Sequence, residues 1–83
     1  MRANRAFRLI VSREGREPAF LAAPERLDRI EVVSVEDGEL ILYWDLPARQ
    51  AAKLVRELRA DLAGLEAGEF LVRWRDAAPD GAV

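Results

Sequence analysis

Phe7, Leu9 and Val11 alternate with Arg8, Ile10 and Ser12, the period of two that a half-buried strand shows. Two more alternating runs flank Asp37-Gly38. Asp-Gly between β-branched and aromatic runs is a strong hairpin signal, because a type I′ turn requires positive φ at both central residues. Pairing Glu36 with Glu39 across that turn places Val35 opposite Leu40, Val33 opposite Leu42 and Glu31 opposite Trp44. The same register places Ser34 opposite Ile41, Val32 opposite Tyr43 and Ile30 opposite Asp45. Since side chains alternate between faces, Val33, Val35, Leu40, Leu42 and Trp44 are expected in the core. Ile30, Val32, Ile41 and Tyr43 then form an apolar patch on the face expected to meet solvent.

Between the first strand and the hairpin, Arg13-Glu14-Gly15-Arg16 reads as a turn and residues Pro18 to Ala22 as a weak edge strand, Pro18 having no N–H for a ladder. The alternative is a loop that tucks Phe20 and Leu21 into the core. Pro24 to Asp28 reads as one helical turn. After the hairpin, Asp45 is the expected N-cap and Pro47 the first-turn residue of a helix over Leu46 to Ala63. Ala51, Leu54, Val55, Leu58, Leu62 and Leu65 recur at spacings of three and four and form the stripe that packs on the sheet. Gly64 is the expected stop. Phe70, Val72 and Trp74 alternate with Leu71, Arg73 and Arg75, which predicts a last strand.

These elements define an α+β fold: a small single domain over residues 6–76 with a mostly antiparallel sheet of four to five strands and one long helix on one face. The expected order is β-(β)-β-β-α-β. Residues 1–5 are expected to fray and residues 77–83 to form a disordered tail. The succession of hairpin, helix and strand resembles the ubiquitin-like β-grasp carriers, which would imply a carrier role. Those carriers end in Gly-Gly, whereas this chain ends Asp80-Gly81-Ala82-Val83.

Composition narrows the functional classes. The chain has 83 residues, 51% hydrophobic and 34% charged, and a net charge of −2, a balance that suits one small core and gives no overall attraction to nucleic acid. Charge is unevenly spread, however, with five Arg and one Glu in residues 1–16 and eight acidic groups against two Arg in residues 17–46. No apolar run approaches the ~20 residues that cross a bilayer. Arg8 interrupts Ala6 to Val11 as a signal-peptide core, so a cytoplasmic location without membrane attachment is expected. Arginine far exceeds lysine and alanine is abundant, a bias associated with GC-rich bacterial genomes.

The chain lacks His, Cys and Thr, which removes the usual nucleophile–base couples and the nitrogen and sulfur metal ligands. No catalytic, cofactor or metal site is expected. Glu36, Asp37 and Glu39, and the pair Glu66 and Glu69, read first as solvated groups beside a turn and a helix exit, and only secondarily as a weak divalent-metal site at the hairpin tip. Trp44 and Trp74 read as core packing rather than a ligand platform. Two surfaces remain. Arg49, Lys53, Arg56 and Arg59 lie at spacings of four, three and three, a basic stripe that is either a plain solvated face or a contact for an acidic partner or phosphate backbone. The patch of Ile30, Val32, Ile41 and Tyr43 is either covered by the chain itself, an artefact of a one-residue register error, or a docking face. The leading expectation is a non-catalytic protein–protein interaction module that forms a homodimer or binds another protein through that sheet face. The alternative is a nucleic-acid-binding regulator that uses the basic helix stripe and the Arg-rich N-terminus.

Overall fold

The computed structural model describes residues 1–12 and 27–77, with side chains through residue 75. Six elements follow in order: α1 (Ala3–Ala6), β1 (Phe7–Ser12), β2 (Leu27–Ser34), β3 (Leu40–Pro47), α2 (Ala48–Gly64) and α3 (Ala67–Ala77). The fold is α+β, with an antiparallel sheet of order β1-β2-β3 among the described residues. The expected turn at 13–16, the weak strand from Pro18 to Ala22 and most of the tail lie outside those residues. Of the helical turn expected over Pro24 to Asp28, Leu27 and Asp28 instead begin β2, and the rest also lies outside.

In β1 the expected inward face is observed. Phe7, Leu9 and Val11 pair with Ser34, Val32 and Ile30, and Phe7 is buried. The β2–β3 hairpin differs from its expected form in two ways. Gly38 has φ of +74° and no other described residue has positive φ, so Asp37 does not adopt the conformation that a type I′ turn requires. The loop is longer: Ser34 N–H donates to Glu39 O at 2.8 Å, and Gly38 N–H donates to Ser34 O at 2.8 Å. Lengthening the loop by two residues leaves every side chain on its expected face. The second difference does not. Val33 pairs with Leu40 but Val32 pairs with Leu42, so Ile41 is an extra residue, a β-bulge, and beyond it the faces of β3 exchange relative to β2.

Ile30 consequently pairs with Trp44 and Val32 with Leu42, and all four are buried. The expected pairs Val33–Leu42 and Glu31–Trp44 are not formed. Val33 turns to the outer face, and Val35, expected inside, is exposed.

On the inner face, α2 lays its apolar stripe on the sheet. Ala51, Leu58 and Leu62 are buried, and Leu54, Val55 and Leu65 pack against the same cluster. Asp45 is not its cap. The ladder continues through Arg29–Asp45, Asp28–Leu46 and Leu27–Pro47, which keeps Asp45 extended and exposed; Pro47 takes the N-cap position with φ −53° and no side-chain hydrogen bond.

The expected last strand is the helix α3. Phe70 and Trp74, four residues apart, are buried on one side, whereas Val72 between them is 72% exposed. A strand would have carried all three to the same face. Glu69 starts this helix by accepting the backbone N–H of Glu66 at 3.2 Å through Oε1, which is half of a capping box. Phe70 stacks on Phe7 at 5.6 Å between ring centroids, and Trp74 meets Trp44 edge to face at 6.0 Å, so α3 is tied to both β1 and β3. With a helix in this place, the described residues do not show the hairpin–helix–strand succession of the β-grasp carriers.

The N-terminal residues pack against the joint of the helices. Ala3 is fully buried, its N–H donates to Leu65 O at 2.9 Å, and Met1 O accepts from Ala67 N–H at 2.8 Å. The start of the chain thus seals the joint between α2 and α3.

Candidate functional site

The bulge at Ile41 dissolves the expected apolar patch. Ile30 and Val32, both 0% exposed, belong to the core, and Ile41 is half-buried against it. Tyr43 alone of the four faces outward along the sheet, half-buried opposite Glu31. The Arg29 guanidinium lies 4.7 Å above the centre of its ring, and Arg29 Nε sits 3.8 Å from Glu31 Oε2. Across this outer face run the paired sets Ser12–Arg29–Asp45, Ile10–Glu31–Tyr43 and Arg8–Val33–Leu40. Charged and apolar groups are mixed on that face. Its exposed large aliphatics are Leu27 at 46%, Ile10 at 39% and Val35 at 48%, and the last two flank a 230 Å3 cleft with Arg8, Val33, Ser34 and Gly38.

The basic stripe, by contrast, is assembled as expected. Arg49, Lys53, Arg56 and Arg59 are all exposed on α2, and no ion pair joins any of them to another described residue. At about 100° per residue, Arg49, Lys53 and Arg56 point within about 40° of the pole opposite the buried stripe, and Arg59 turns to one flank. Glu57 and Asp61 lie on the other flank. Asp61 is occupied by α3: its Oδ2 accepts Trp74 Nε1–H at 2.9 Å and lies 2.9 Å from Arg73 Nε. Between the cations stand only small groups, Ala52, Ala60 and Ala63. The outward face is therefore cationic along about 10 Å of helix from Arg49 to Arg56, at 1.5 Å per residue, with Arg59 at its edge.

That arrangement is not one that helix stability selects. Arg49–Lys53, Lys53–Arg56 and Arg56–Arg59 are successive like-charge neighbours at spacings of four and three, each unfavourable by roughly 0.2–0.5 kcal/mol. Lys53 and Glu57 have a favourable spacing, in the weaker of the two orders. No acidic residue occupies the first turn, where the positive end of the helix dipole also disfavours Arg49.

The acidic groups have local duties. Asp37 Oδ1 accepts Glu39 N–H at 2.9 Å within the exposed hairpin loop, and Glu66 Oε2 lies 3.2 Å from the Met1 ammonium. No group of three or more metal-ligating side chains is gathered among the described residues. No helix among them is long and apolar enough to cross a membrane. Sequence reasoning missed the capping role of Glu69 and the engagement of Asp61 with α3. The spacing Glu66-x-x-Glu69 ahead of an apolar run was the available signal for the first.

The fold and surface define a small α+β domain with one cationic helix face. The chain matches no protein-family model, no curated protein and no solved structure.

Proposed function

We propose that the chain is a non-catalytic binding module that docks a polyanionic partner along the outer face of α2. The carrying observation is the run Arg49, Lys53, Arg56 and Arg59: exposed, without an acidic partner among the described residues, and self-repulsive within the helix. A polyanion laid along the row replaces that repulsion with attraction. The lack of His, Cys and Thr supports a binding rather than a catalytic role. Chromatography on immobilised heparin at low salt tests the reading. Retention that is lost in the Arg49→Gln/Arg56→Gln variant is expected, and passage of the wild type straight through the column sinks it.

Self-association through the outer sheet face is a second reading, now resting on Ile10 and Val35 beside their cleft rather than on Ile30 and Val32. Sedimentation of the wild type and of Ile10→Lys separates the cases. A wild type that stays monomeric at high concentration removes this reading and leaves the first intact.

A further inference from the structure

We infer that the polyanion is the phosphate backbone of double-stranded DNA, held without reading its sequence; this rests on α2 being the polyanion-docking face. The side chains that are missing from the face are as informative as the cations on it. Protein interfaces draw their affinity from buried aromatic and large aliphatic anchors, and between the cations α2 carries only Ala52, Ala60 and Ala63. An acidic protein would find charge there but no anchor. Single-stranded nucleic acid is held by bases stacked on aromatic rings, and α2 contains no aromatic residue. Duplex RNA closes its deep, narrow major groove to a helix, whereas the B-form major groove, about 12 Å wide, lets a helix such as α2 lie between its phosphate walls.

What remains suits a B-form backbone. Three of the four cations are Arg, whose planar fork binds phosphate oxygens in pairs, and the intervening alanines let the helix approach closely. The row offers no Asn, Gln, Asp or Glu to pair with adenine or cytosine edges, and its Arg and Lys are the side chains that bind phosphate, so phosphate contacts dominate. The acidic hairpin loop with Glu36, Asp37 and Glu39 lies at the opposite end of β3 from the start of α2, about 27 Å away for eight extended residues. The duplex is thereby steered toward Arg49 and Lys53 and repelled from the loop.

Fluorescence anisotropy of a labelled 20-base-pair DNA of arbitrary sequence tests the inference. With about four phosphates neutralised, the slope of log affinity against log salt should be about −3 to −4, a loss of about 100-fold between 50 and 200 mM salt. Arg49→Gln/Arg56→Gln should bring the slope closer to zero by about two with circular dichroism unchanged. Should that pair lose helicity, Arg49→Gln and Arg59→Gln singly, each shifting the slope by about one, decide instead. A second, unrelated duplex should bind equally, and discrimination beyond tenfold overturns sequence-independent binding. RNA duplex, single-stranded DNA and polyglutamate of matched charge should all compete more weakly. Equal or tighter binding of any of these overturns the DNA assignment while leaving polyanion docking in place, and an unchanged slope in the variants overturns α2 as the surface. If neither DNA, polyglutamate nor heparin binds, both readings fall.

Discussion

Val32 lies opposite Leu42, yet its neighbour Val33 lies opposite Leu40, and Ile41 is the residue left between. This one insertion decides which half of the hairpin is core. It also yields a sharp comparison, because Val→Thr keeps shape and β-branching while adding a hydroxyl. Val32→Thr places that hydroxyl in the fully buried cluster and should cost about 1–3 kcal/mol. Val33→Thr, on the outer face, should stay within about 0.5 kcal/mol of wild type. Urea denaturation of the two variants measures the difference, and equal losses would place the bulge elsewhere.

The hairpin illustrates how far the sequence could be read. Asp37 and Gly38 announced a turn, but a bulge adds one residue without any compositional mark, and with period-two alternation one residue is enough to exchange the faces. Hence Leu42 and Trp44 were legible as core, whereas Ile30 and Val32 were misassigned to the surface. In α3 the ambiguity was of another kind. Positions four apart satisfy both a strand and a helix, so Phe70 and Trp74 could not discriminate, and the apolar Val72 between them pointed the wrong way. The stripe of α2 had no such ambiguity. Spacings of three fit only the helical period, so Ala51, Leu54, Val55, Leu58 and Leu62 were read correctly, and with them the opposite, cationic face.

Leu58 is fully buried at the middle of that stripe. Leu58→Ala should cost about 2–5 kcal/mol, a large share of the stability of a domain this size. A denaturation midpoint equal to that of wild type would mean that α2 packs on another face.

Asp61 joins the two long helices by accepting from Trp74 and pairing with Arg73. Asp61→Asn retains an acceptor for the indole and loses only the ion pair with a largely exposed Arg73, so it should cost less than about 1 kcal/mol. Asp61→Ala leaves the half-buried indole N–H without this acceptor and should cost about 1–3 kcal/mol. Equal effects in thermal unfolding would show that the charge, and not the hydrogen bond, holds α3 in place.

Ala3 is completely enclosed at the joint of α2 and α3, so a larger side chain there must displace its neighbours. Ala3→Leu should destabilise by about 1–3 kcal/mol. It should also speed hydrogen exchange at Ala67, whose N–H bonds Met1 O, more than at amides in mid-α2. Uniform acceleration across the chain would show that the N-terminal turn and the sheet open together.

The cationic row makes a prediction in which binding and stability move in opposite directions. Arg49 stands in the first turn of α2, near the positive end of the helix dipole and four residues before Lys53. Arg49→Glu relieves both conflicts: a carboxylate suits the helix start, and Glu four residues ahead of Lys is the favourable order on a helix surface. The fold should therefore gain about 0.5–1 kcal/mol at low salt, a gain that shrinks as salt screens the charges. Over the same substitution, retention on heparin should fall. Thermal unfolding at low and high salt, set beside the heparin elution position, reads both effects in one variant. A destabilised Arg49→Glu protein would mean that Arg49 has a structural partner and that the row is part of the fold. Unchanged retention would mean that the polyanion lies elsewhere, and the docking face of α2 would have to be abandoned.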